Sequence, residues 1–293
     1  MVKNTVMEIL FRKELLEYNE PGHPESPQRL ESIICFLEKK GRNNFLEFEE
    51  VSESLLEEVH SQKHISAVKK GNFFDPDTSS LPEIYRYAKL SAGGAVAAAK
   101  LTFDKKDAFA LIRPPGHHAG RDFLGGFCYF NNIAIAVKYC LKSVKKVAIL
   151  DLDGHHGNGT ESIFRESKQV IFISIHQGHC YPWTGLMSFS NCYNFSVKRG
   201  TGFSDYKIFL FESIALINRF APELVAISLG FDTHKNDPLL DLCFVDSDYY
   251  HLAKMIATGI SVPCFFVLEG GYDVKSIGNS FYCFLSGWEK CRS

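Results

Sequence analysis

Apolar residues in this chain gather into short runs, each with a polar cluster directly behind it. "FALI" leads into Arg113-Pro114-Pro115-Gly116-His117-His118, and "VAIL" into Asp151, Asp153 and His155. "VIFISI" leads into His176 and His179, "VAISLG" into Phe231-Asp232, and "CFFVL" into Glu269-Gly270-Gly271-Tyr272. Such runs predict buried strands over 108–112, 147–151, 170–175, 224–229 and 264–268. Helical stretches near 131–142, 160–166, 204–220 and 247–259 separate them, and the alternation predicts an α/β protein with a parallel sheet and helices on both faces. Upstream, after an opening strand-like segment, Ser26 and Pro27 start a helix, "PQRLESIICFLEKK", that Gly41 stops. A helical pair over 53–70 is closed by Gly71. A loop over 71–83, "GNFFDPDTSSLPE", which could rim a pocket, leads into an Ala-rich helix over 83–102.

Length and composition narrow the picture. With 293 residues, 45% of them hydrophobic, the chain can bury one large core, so residues 1–293 are expected to form a single domain. Lys+Arg (32) and Asp+Glu (34) nearly balance at a net charge of −2, so no basic field points to nucleic acid as a direct partner. Nine cysteines, an odd number with no C-x-x-C pair, argue against a zinc ribbon or a disulfide framework and fit a reducing cytoplasm. The N-terminal stretch is charged too early and too often for a signal peptide. No apolar run approaches the ~18 residues of a membrane span. The composition carries no sign of an oligomeric state.

In open parallel sheets ligands bind beyond the carboxyl ends of the strands, so the polar clusters should meet in one crevice. Asp151, Asp153 and His155 are each two apart and share a strand face, yet the outer pair would lie roughly ~13 Å apart if extended. One ion can therefore take only neighbours. Asp153 and His155 make the better ligand pair, with Asp151 left to orient another group, and Asp232, just after another strand, is the best third ligand. Taken singly, an Asp after a strand reads more readily as a helix N-cap, but three such groups in one crevice reverse that preference. His117 and His118 form a pair that could be merely solvated. Beside a metal, one would serve as general base and the other would stabilise charge and protonate the leaving group, with Asp151 and Asn158 as their partners. Tyr272, after two glycines, could donate to an oxyanion. His60 and His64 share a helix face without a third ligand and read as structural, a second metal at His234 is a minor option, and "GNGTES" only faintly echoes a phosphate loop.

Together these motifs resemble the zinc-dependent histone deacetylase family, with its acetoin-utilisation and acetylpolyamine amidohydrolase relatives. The resemblance runs through "PGHPESPQRL", "RPPGHHA", "GFCYFNN", "DLDGHHGNGT", "LGFDTHKNDPL" and "EGGYD", nearly the whole chain. It is nearest to class II-type and prokaryotic members, because Asn158 stands where class I enzymes have aspartate. It implies the three-layer α/β/α arginase–deacetylase fold and Zn²⁺, or Fe²⁺, on Asp153, His155 and Asp232. It further implies His117 and His118 as the acid–base pair supported by Asp151 and Asn158, and Tyr272 as carbonyl polariser. Phe127 and Tyr181 would wall an acyl-lysine tunnel, with Gly126, Gly270 and Leu239 beside them. A structural K⁺ is implied on backbone oxygens of Asp151, Asp153 and His155 with help from Ser174. The implied activity is removal of acetyl or similar short acyl groups from lysine in proteins or peptides. Some class II enzymes that are weak on acetyl-lysine carry His at the position of Tyr272. Polyamine-selective relatives have glutamate where Leu239 follows Asp237-Pro238, which leans away from acetylpolyamines and other small acylated amines as substrates without excluding them. The rivals are a binuclear manganese ureohydrolase, which needs a richer ligand set, and a catalytically weak binder of acylated ligands.

Overall fold

A computed structural model describes residues 6–292; the first five residues of the leading segment, and Ser293, lie outside the described residues. Seven strands form one all-parallel sheet: β1 (Glu8–Leu10), β2 (Ala108–Ala110), β3 (Val147–Asp151), β4 (Val170–Gln177), β5 (Cys192–Val197), β6 (Leu224–Leu229) and β7 (Cys264–Leu268). Their order is β1-β2-β7-β6-β3-β4-β5. The chain builds outward from β3 through β4 to β5, then returns to lay β6 on the other side of β3. That reversal opens a crevice between the carboxyl ends of β3 and β6. Register places Asp151 of β3 between Ser174 of β4 and Ser228 of β6.

Nine α-helices and one short 3-10 helix (Lys13–Leu16) accompany the sheet among the described residues: α1 (Gln28–Lys39), α2 (Glu53–Glu57), α3 (Gln62–Lys70), α4 (Ile84–Phe103), α5 (Asn132–Cys140), α6 (Asn158–Phe164), α7 (Phe203–Phe220), α8 (Asp246–Gly259) and α9 (Ile277–Cys291). Gly71 ends α3 at φ 63°, the left-handed cap that glycine supplies without a steric penalty. Asn131 caps α5 by accepting the Ala134 N–H. Phe109 of β2 and Phe266 of β7 pack on Phe281, Phe284 and Trp288 of α9, while α4 covers β2 and β7 through other contacts and α7 covers β3 and β4.

Two elements escape the sequence pattern. The strand β5, "CYNFSV", lies at the sheet edge with its middle residues half-buried or exposed, so it lacks the apolar run that marks its neighbours. The helix α9 is rich in aromatics, Ser and Gly, residues of modest helix propensity, and is held by packing on α8, α1 and the sheet. The nine cysteines are unpaired, and no helix among the described residues is long and apolar enough to cross a membrane.

Candidate active site

The crevice gathers the polar ends of the strands. Asp151, fully buried, is the last residue of β3, and there the chain bends: the Asp153 N–H donates to Asp151 Oδ1 (3.2 Å) and the His155 N–H to Asp153 Oδ1 (2.9 Å). The extended spacing expected through His155 therefore ends at Asp151, and the bend brings Asp153 and His155 up to Asp232, three residues beyond β6. His155 Nδ1 lies 3.3 Å from Asp153 Oδ1 and 2.7 Å from Asp232 Oδ2, and donor atoms of all three residues fall within 4.8 Å of one another. The Gly270 N–H donates to Asp153 Oδ2 (2.7 Å), and a Cβ on Gly270 would stand 2.6 Å from that oxygen. Gly270 thus backs the cluster instead of facing the cavity.

By donor type, two carboxylates and an imidazole suit a divalent ion such as zinc. Burial, with Asp153 beside it, pushes the Asp232 carboxyl up to about 7. Two acidic groups packed this closely stay ionised together only when a cation compensates them.

The two adjacent histidines sit in unlike surroundings. His117 Nδ1 faces Asp151 Oδ2 at 3.1 Å, and its Nε2 is 3.7 Å from Asp153 Oδ1. Burial opposes a charge on this ring, but the Asp153 and Asp151 carboxylates outweigh it and raise its pKa to about 10. His118 Nδ1 meets the uncharged Asn158 Oδ1 at 2.8 Å, and burial, reinforced by His117 and His155, holds this ring well below the usual imidazole range. The surroundings favour a charge on one ring and oppose it on its neighbour.

A cavity of about 200 Å³ opens above them, lined by His118, His155, Gly126, Phe127, Tyr181, Leu239, Tyr272 and Asp77. The Phe127 and Tyr272 rings meet edge to face at 5.5 Å, and Tyr181 meets His118 likewise at 5.0 Å. Gly126 has φ 54°, and a Cβ there would lie 2.4 Å from His118 Cδ2 and 2.8 Å from Tyr181 Cε1, so only glycine lets these walls close. Burial raises the Tyr272 hydroxyl well above the usual phenol range, which keeps it a donor.

Other residues, given no role by their sequence pattern, build the walls. Glu25 is buried and accepts from Arg29 Nη1 (3.0 Å), Arg113 Nε (2.9 Å) and Tyr18 Oη (2.9 Å). Arg29 also donates to the Gly271 carbonyl (2.7 Å) and to the Glu269 carbonyl, and its guanidinium lies 4.8 Å from the Tyr272 ring centre. The Glu269 side chain accepts from the N–H groups of Gly116 (2.7 Å) and His117 (3.2 Å) and from Ser228 Oγ (2.8 Å). Charged residues at "PES" and "QRL" are the signal that could have revealed this frame, since a buried ion needs partners.

Several candidates lie apart. His60 and His64 stack with ring centres 4.9 Å apart, His60 Nδ1 meeting the Gly120 carbonyl and His64 Nε2 the Tyr129 carbonyl. His176 is buried between Ser174 Oγ (2.8 Å) and the Gly185 carbonyl, and His179 is exposed. His234 points to Asp246 (3.7 Å) and joins no ligand cluster among the described residues. A second convergence, His117, Cys128 and Glu269, is already occupied by the contacts of His117 and Glu269 and by the Cys128 thiol on the Gly126 carbonyl; burial raises that thiol well above its usual range.

With this geometry in place, comparison with known proteins is decisive: the histone deacetylase domain matches residues 23–287. The chain belongs to the histone deacetylase family. A "probable deacetylase" of Methanothermobacter thermautotrophicus is 35% identical over 290 residues, spanning 92% of this chain and 87% of that protein. The crystal structure of the HDA15 HD domain superposes with a TM-score of 0.89 at 33% identity, over 96% of this chain and 88% of that one. An acetylpolyamine aminohydrolase from Burkholderia pseudomallei gives 0.89 at 25% identity, over 98% and 100%. The fold is the arginase–deacetylase fold, and like its histone deacetylase relatives the chain is an amidohydrolase of a metal-dependent family.

Proposed function

We propose that residues 1–293 form one catalytic domain that removes acetyl, or a similar short acyl group, from the side chain of lysine in proteins or peptides. The observation that carries this reading is the convergence of Asp153, His155 and Asp232 beneath a cavity that His118 and Tyr272 also line. A Zn²⁺ ion held by those three side chains would polarise the amide carbonyl and acidify a water molecule.

The remaining chemistry falls to the chain's own groups. Because Nδ1–H of His118 donates to Asn158, its Nε2 keeps the lone pair and accepts the proton of the attacking water. His117, paired with the Asp151 carboxylate, carries positive charge beside the reacting atoms and offsets the developing negative charge. Tyr272 donates its hydroxyl to the carbonyl oxygen as that oxygen becomes anionic. The amine leaves with the proton held on the histidine pair. Phe127 and Tyr181 form the aromatic walls along which an extended four-carbon stem packs, excluding water from the reaction.

A structural K⁺ on backbone oxygens of Asp151, Asp153 and His155 fits the same bend, with buried Ser174 in register beside Asp151. The unpaired thiols favour the cytoplasm as the working compartment. A second reading, deacylation of acetylpolyamines or other small acylated amines, draws on the Asp77 carboxylate at the cavity, which would attract a distal ammonium; the apolar Leu239, also in the lining, favours the peptide. The test is turnover by metal-quantified protein on acyl-lysine peptides of varied chain length and on acetylated polyamines. The proposal expects acetyl-lysine peptides to give the highest kcat/KM; no turnover on any acylated amine contradicts it.

A further inference from the structure

Tyr272 sits in a turn, not on a helix or strand, so something outside the turn must fix its hydroxyl to the tolerance that catalysis demands. One side of the turn is held by Arg29 on the carbonyls of Glu269 and Gly271. The other side is held by Asp237. This carboxylate is almost fully buried, and its Oδ1 accepts the Leu239 N–H (2.9 Å) in a local turn. Its Oδ2 reaches across to accept the Tyr272 N–H at 2.7 Å, thirty-five residues away in sequence. Leu239 and Tyr272 both line the cavity.

We infer that Asp237 is a positioning residue: its two oxygens lock the rim at Leu239 to the turn carrying Tyr272, and so aim the phenol. The local bond orients the carboxylate, and the long one uses that orientation. Among the described residues this carboxylate neither caps a helix nor joins an ion pair: the two partners of its oxygens are backbone N–H groups of cavity-lining residues. The inference rests on the amidohydrolase reading for the role of Tyr272.

Two variants separate the bonds. Asp237→Asn keeps one carbonyl oxygen and turns an NH₂ toward a donor, while Asp237→Ser can keep the local turn to Leu239 but cannot reach Tyr272. Both are expected to lower kcat on an acetyl-lysine peptide by roughly tenfold or more with KM within about twofold, the pattern of an interaction made only in the transition state. Combined with Tyr272→Phe, either should cost nothing further, because the group being aimed is gone. Amide exchange over residues 269–273 should quicken in both, with β6 and β7 unchanged. An unchanged exchange pattern overturns the inference, as does a kcat loss that multiplies with that of Tyr272→Phe. The exchange measurement needs no substrate, so it decides whether Asp237 fixes the turn carrying Tyr272 even if wild-type protein fails to turn over acyl-lysine, a result that would overturn the proposed function alone.

Discussion

At the scale of single residues, the site works by giving identical side chains unlike neighbours. His117 and His118 are adjacent in sequence, yet one faces a carboxylate and the other an amide oxygen. Removing the phenol donor in Tyr272→Phe should lower kcat on an acetyl-lysine peptide by roughly 10²–10³-fold, as loss of an oxyanion donor does. His118→Ala should lower it by roughly 10²–10⁴-fold, the usual worth of a general base. Thermal melting of both variants should stay near wild type, since neither side chain carries the core; near wild-type rates in either would remove that residue from the chemistry.

At the scale of elements, buried charge ties helix α1 to the turn that carries Tyr272. Glu25, just ahead of α1, lies between Arg29 and Arg113, and Arg29 in turn holds the carbonyls of β7's exit loop. Glu25→Gln leaves two buried guanidinium groups without their counter-ion and should destabilise the fold by about 3–5 kcal/mol, read by denaturant unfolding. The pH dependence has a definite sign. Burial opposes ionisation of Glu25, but Arg113 and Arg29 win and hold its pKa below the ordinary 4.5. Its stabilisation is therefore fully present above pH 4.5 and is lost as pH falls through the folded-state value, so wild type should lose stability on acidification more steeply than Glu25→Gln. This frame also shows where sequence reading ends. The strands β3, β6 and β7 were legible because each is a continuous apolar run buried on both faces, and Asp153, His155 and Asp232 because they follow such runs directly. The edge strand β5 was not, since a half-exposed strand alternates too weakly, and α9 was hidden by its aromatics and glycines. Glu25, Asp237 and Glu269 act through contacts spanning the chain, which local spacing cannot reveal.

At the scale of the molecule, the order in which the strands are laid down determines where chemistry can occur. Because β6 returns beside β3, the bend after Asp151 and the loop after Leu229 open on one side of a single crevice, and the turn after β7 closes it with Tyr272. The balanced charge of the chain supplies no long-range field, and Asp77 is the carboxylate among the residues lining the cavity. An ion held by Asp153, His155 and Asp232, as proposed, would join the loop after β3 to the loop after β6, so stripping it should lower the melting temperature as well as the activity, by the ordinary linkage of a ligand that binds only the folded state. The most direct measurement is titration of chelator-stripped protein with Zn²⁺ while acetate release from an acetyl-lysine peptide is followed. The account expects no turnover in the stripped protein and full recovery at one ion per chain. Turnover that survives stripping, or recovery that requires two ions per chain, would contradict it.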